Sequence, residues 1–150
     1  MTESHPVWTI YSLQHALAEE ASFTTDKPDI RLMDGAEPCL ELTMKAFGDL
    51  PVFVTVSGQQ IIAEAVLWKA SDVQDVHALN DEVLRTHKLF PLSTISLDRL
   101  PDGSEYYTVF GSLSASSLLS NVVLEIETLA ANAIKMADGY RSHLKSQPAA

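Results

Sequence analysis

The chain has 150 residues, 46% of them hydrophobic and 20% charged, a balance that fits one globular domain and argues against disorder. Twenty acidic residues against ten basic ones give a net charge of -10, which repels phosphate backbones and anionic headgroups and argues against nucleic acid as a partner. The single cysteine, Cys39, rules out an intramolecular disulfide and points to a reducing compartment.

No apolar run approaches the roughly 18 residues of a bilayer span, so no direct membrane insertion is expected. The opening MTESHPVW has neither the cationic start nor the apolar centre of a signal peptide. A cytoplasmic protein is the expectation. One domain over 1–150 is expected, with an ordered core at about 7–145 and a flexible tail at 146–150 containing Pro148.

In chain order, the first element is a helix near 9–21. Ile10, Leu13, Ala16 and Leu17 share one face, and Thr9 is placed to cap the start. A polar stretch, 22–29, leads out through Pro28.

Period-2 patterning follows. Ile30 and Leu32 flank Arg31, Asp34-Gly35 supplies a turn, and Leu40, Leu42 and Met44 alternate with Glu41, Thr43 and Lys45. A second turn spans 48–51. Val52 to Val56 is β-branched and aromatic, which reads as a central strand. Ser57-Gly58 connects it to a strand over 59–68, completing an antiparallel meander.

Ser71-Asp72-Val73-Gln74 matches a capping box. Val73, Val76, Leu79, Asn80, Val83 and Leu84 then mark the stripe of a helix over 71–89, stopped by Pro91. Strands are predicted at 92–98 and 105–113, joined by a turn at Pro101-Asp102-Gly103. The serines at 112, 114, 116 and 117 mark a junction offering several N-caps. Beyond it, Leu119, Val122, Ile126, Leu129, Ala133, Ala137, Tyr140 and Leu144 predict a long helix over 116–145, the main cover of the sheet. The fold class is α+β: a twisted antiparallel sheet with three flanking helices, in the order α-β-β-β-β-α-β-β-α.

Chemistry-bearing residues are present without chemistry-bearing spacing. His77 and His87 lie ten residues apart, about 80° from each other around a helix, so they form no HxxxH pair. Cys39 beside Pro38 reads as a small buried hydrophobe. Gly111-Ser112-Leu113-Ser114-Ala115 puts leucine where a nucleophile elbow needs serine. The six glycines form no phosphate-binding loop. Asp72 and Asp75 enrich a helix start, and Glu125 and Glu127 read as solvating residues on either side of Ile126. Arg141, His143 and Lys145 read as helix-end cations rather than a binding patch. No catalytic, cofactor-binding or metal-ligating residue is nominated, and an enzyme is not expected.

Three stretches, Leu50 to Gly58 (LPVFVTVSG), Leu79 to Leu92 (LNDEVLRTHKLFPL) and Ser120 to Ala130 (SNVVLEIETLA), together resemble the YjfI-like family of uncharacterised bacterial proteins over about 7–144. The resemblance implies an architecture like that of type III secretion chaperones, with helices packed on a twisted antiparallel sheet, and a homodimer. It also implies a partner, because family members are often encoded beside a homologue of the phage-shock protein A and IM30 membrane-remodelling family. The expected function is that of a non-enzymatic, acidic protein-binding module, chaperone- or regulator-like. Two alternatives stay open: a small enzyme or small-molecule-binding domain built around His77, His87 or Cys39, and a purely structural homo-oligomer.

Overall fold

The computed structural model describes residues 7–146; the expected tail from 147 onward and the first six residues lie outside this range. Helix α1 (Ile10–Glu19) is followed by strands β1 (Asp29–Met33), β2 (Cys39–Met44), β3 (Leu50–Ser57) and β4 (Gln60–Lys69). Helix α2 (Val76–Thr86), strands β5 (Thr94–Arg99) and β6 (Glu105–Ser114), and helix α3 (Leu119–Gly139) complete the order. The six strands form one antiparallel sheet with spatial order β1-β2-β3-β4-β6-β5, matching the α+β architecture read from the sequence.

Strand alternation sets the two faces. Leu40, Leu42 and Met44 of β2, Val52 and Val54 of β3, and Ile61, Ala63 and Ala65 of β4 are buried. Their neighbours along each strand are only half-buried or exposed. Helices α1 and α3 cover the buried face: α1 packs on β1 and β2 through Ile10, Leu13 and Leu17, and α3 crosses β3, β4 and β6. Each fully buried Leu or Ile contributes about 1.5–3 kcal/mol.

Thr9 caps α1 as expected, but in a reciprocal box with a residue the sequence reading passed over. The Ser12 N–H donates to Thr9 Oγ1 (3.1 Å), and the Thr9 N–H donates to Ser12 Oγ (2.9 Å).

In β4 a bulge between Val66 and Trp68 changes which side chains face inward. It brings Trp68 opposite the buried Tyr107, and the two rings meet edge-on at 6.2 Å between centroids. Tyr140 adds a second edge contact at 6.3 Å, closing an aromatic cluster between the sheet and the far end of α3.

The capping box at Ser71 does not form. Residues Ala70–Asp72 make a 3-10 turn, and Val73 pairs as a lone bridge with Leu144. The Gln74 N–H donates to the His143 carbonyl (2.9 Å), and its side-chain amide donates to the Leu144 carbonyl (2.9 Å). Acceptors seventy residues away thus outcompete the local box, and Asp75 becomes the cap, accepting from the Ala78 N–H at 3.1 Å. Helix α2 is therefore shorter than 71–89, and Leu84 points to solvent rather than joining its buried stripe.

The final helix is also shorter than expected. None of the serines caps it, since Leu118 holds the N-cap position without a side-chain acceptor. After Gly139 the chain turns through a 3-10 segment, Arg141–His143, and Leu144 becomes extended.

Glu125 and Glu127 are not solvating residues. Glu125 is buried on α3, where it settles over Gly111 of β6. Glu127 is half-buried and accepts four hydrogen bonds from Thr24 and Thr25, two of them from backbone N–H groups. Those bonds hold its pKa below the usual carboxylate value against the opposing effect of burial, and they pin the segment after α1 to α3.

Cys39 is likewise not a buried hydrophobe. It stands half-exposed among the alternate residues of β2 that point away from the helices, and desolvation, with Glu41 and Glu64 adding repulsion, pushes its thiol pKa up.

Candidate functional site on the open face of the sheet

With the helices gathered on one side, no helix among the described residues covers the other side of the sheet. The strand registers line up one row of residues across all six strands: Arg31, Glu41, Phe53, Glu64, Phe110 and Thr94. Carboxylates and aromatic rings alternate along its middle. The Cβ atoms of directly opposed residues in an antiparallel sheet stand about 5 Å apart, so each group in the row is the neighbour of the next.

One step along the strands, Val66 stands opposite Thr108, and Thr108 opposite Ser96. Val66 is 50% exposed, although its strand is otherwise central. Asp98 of β5 accepts from Thr108 Oγ1 (2.7 Å) and Ser96 Oγ (3.1 Å), which fixes its carboxylate at the floor of a cleft. That cleft has a volume of about 240 Å³, and Phe53, Val66, Leu100 and Tyr106 form its apolar wall. Glu64 enters it from β4.

The Glu64 carboxyl is held above the usual carboxylate value, first by burial and second by the charge on Asp98. Among the described residues no Lys or Arg forms an ion pair with it. Its neighbour Glu41, by contrast, is paired with Arg31 at 2.9 Å. Glu64 also lines a wider groove of about 830 Å³ that runs along Thr55 and Ile62 to Trp8 and Pro38. Glu64 is the residue that lines both hollows.

The residues an enzyme would have drawn on do not converge. His77 is exposed on α2, whereas His87 lies past its end, with Nδ1 2.6 Å from Thr94 Oγ1 of β5. Cys39 sits on β2, four strand spacings from β5, or about 19 Å across the sheet. Among the described residues no group of three His, Cys, Asp or Glu side chains gathers at metal-binding distance. No helix among them is long and apolar enough to cross a membrane.

The basic trio at the C-terminal end is divided as well. Arg141 pairs with Asp138 at 3.2 Å, and His143 bonds to Glu82 of α2.

The Glu64–Asp98 approach escaped the sequence reading because the chain between β4 and β5 runs through α2, so no spacing along the sequence brings the two together. The available signal was the alternation inside Val52 to Val56, which sends Phe53 to the face opposite Val52 and Val54.

The fold has solved counterparts. YbjN from Escherichia coli, described as a proposed transcription regulator, superposes with a TM-score of 0.66 at 13% identity, covering 96% of this chain and all of that one. An uncharacterized protein from Methanothermobacter thermautotrophicus superposes with a TM-score of 0.58 at 10% identity, covering 87% and 96% of the two chains. At these identities the likeness establishes the architecture alone.

Sequence relatives are nearer. Uncharacterized protein YjfI of Escherichia coli K12 is 33% identical over 103 residues, 69% of this chain and 77% of its own length, and the O157:H7 strain carries a match of the same extent. Residues 7–144 match the model of the family described as an uncharacterized protein conserved in bacteria (DUF2170). The chain therefore belongs to that bacterial family, the one its YjfI-like stretches resemble.

Proposed function

We propose that this protein is a non-enzymatic binding module of regulatory type, holding a basic amphipathic segment of another protein on the open face of its sheet. The observation that carries the reading is the row Glu41–Phe53–Glu64–Phe110, which sets aromatic area and carboxylate charge side by side on a face turned away from the helices. A cationic amphipathic helix complements that face in both respects, and the net charge of -10 adds long-range steering. The secretion-chaperone likeness implied by the family resemblance supplies a precedent for a twisted sheet that holds another polypeptide.

The partner proposed is a phage-shock protein A or IM30-type homologue, and the mechanism is sequestration. Binding would cover the partner's membrane-binding or self-assembly face, and anionic lipid would compete for it. The test is titration calorimetry of the purified protein against the phage-shock-type homologue of the same host, with and without anionic vesicles. Binding should weaken as salt rises, fall with added vesicles and be abolished by Val66→Arg, which places a cation on the open face without entering the core. Absence of binding overturns the partner. Binding indifferent to Val66→Arg overturns the face.

A further inference from the structure

The cleft between β4, β5 and β6 is small. At about 240 Å³ the cleft falls below the roughly 300 Å³ at which pockets begin to hold drug-sized molecules or cofactors. Its walls are of two kinds. Phe53, Val66, Leu100 and Tyr106 supply apolar surface, while Glu64 and Asp98 supply two carboxyls. A purely apolar side chain would desolvate both carboxyls without supplying a counter-charge, at considerable cost. An anion would be repelled by them. A long aliphatic stem ending in a cation satisfies both walls at once, with methylenes against the rings and a charged head between the carboxyls.

We infer that the cleft is a receptor for a single lysine or arginine side chain, the anchor by which a basic segment is read on the open face. The inference rests on the open-face reading and names the group recognised. Glu64 and Asp98 divide the task. Asp98 is fixed by Thr108 and Ser96, so its position costs the incoming cation no ordering. Glu64 takes no part in an ion pair with a Lys or Arg among the described residues, and it is the group freed from like-charge repulsion when a cation arrives. The chain's own Lys69 stands over the Tyr106 ring at 6.0 Å from its centroid, at the outer limit of a cation–π contact. The same ring is thus already in reach of an ammonium from outside the cleft.

The test is a nuclear magnetic resonance titration of the full chain with n-butylguanidinium and n-butylammonium, using n-butanol as the uncharged control. Saturable shifts are expected at the signals of Phe53, Val66 and Tyr106 with both cations and not with the alcohol. In the double variant Glu64→Gln/Asp98→Asn the apparent affinity should fall about tenfold or more, the loss expected when charge-assisted bonds become neutral ones. Should the double variant lose its native spectrum, Glu64→Gln alone, at a half-exposed position, carries the comparison. Non-saturable shifts, an equal response to n-butanol, or unchanged affinity in the variant overturn the inference. Its failure is distinct from that of the binding reading. If the cations do not enter the cleft while Val66→Arg still abolishes partner binding, the open face stands and the anchor does not.

Discussion

The carboxyl of Glu125 occupies the space that a side chain on Gly111 would need. A Cβ at Gly111 would overlap Glu125 Oε1, lie 2.9 Å from its carboxyl carbon and stand 3.0 Å from the Leu92 carbonyl oxygen. A helix residue and a strand residue are thus fitted to each other across the core, with one short enough to admit the other. Gly111→Ala should destabilise the protein by about 1–3 kcal/mol, as overpacking does, because the Glu125 carboxyl must leave its buried socket while the Leu92 carbonyl blocks retreat of the new methyl. Thermal unfolding of Gly111→Ala, Glu125→Ala and the double variant checks the pairing. The double variant should be more stable than the sum of the two single losses allows.

The same carboxyl makes stability depend on pH. Burial raises the Glu125 pKa above its ordinary value, so the folded state holds a proton that the unfolded chain has already released. Between the unfolded value, near 4.5, and the raised folded value, the native state binds more protons, so stability falls as pH rises through that window. Glu125→Gln, neutral at every pH and close to isosteric, should be more stable than the parent at neutral pH and should lose this part of the slope. Chemical denaturation of both proteins at several pH values from 4 upward measures the difference directly. Parallel curves would place the titrating group elsewhere.

Ile126 is fully buried beneath the sheet. Replacing it with aspartate places an unpaired carboxyl in the apolar core at a cost of several kcal/mol, a large share of the stability of a domain this size. Circular dichroism should show Ile126→Asp unfolded or melting far below the parent.

The start of α2 separates two caps by mutation. Asp75→Ala removes the acceptor for the Ala78 N–H and should cost about 1 kcal/mol, whereas Ser71→Ala should fall within roughly 0.5 kcal/mol of the parent. Midpoints of urea unfolding give both numbers, and a larger loss at Ser71 would restore the upstream box.

What the sequence disclosed, and what it withheld, divides along one physical line. Alternation at Leu40, Leu42 and Met44 and the stripe through Val122, Ile126 and Leu129 are properties of short stretches, and the elements they predict are present. The features that escaped the reading depend on distant partners. Ser71 and Gln74 look like a capping box until His143 and Leu144 arrive with better acceptors. Glu125 reads as solvated until Gly111 opens a socket for it. The cleft was invisible for the same reason, since Glu64 and Asp98 meet only after β6 has inserted between β4 and β5.

The bridge from Val73 to Leu144 means more than the misplaced cap it explains. The Gln74 N–H donates to His143, the Lys145 N–H donates to Asp72, and Glu82 reaches His143, so the last described turn of the chain is latched to both ends of the approach to α2. A latch of this kind ties the opening of α2 to the release of the chain's far end. The two should form one cooperative unit, with the amides of Gln74 and Lys145 showing a common opening free energy in hydrogen–deuterium exchange. Residues recruited from 70 positions apart would then unfold together, ahead of the strands they cover.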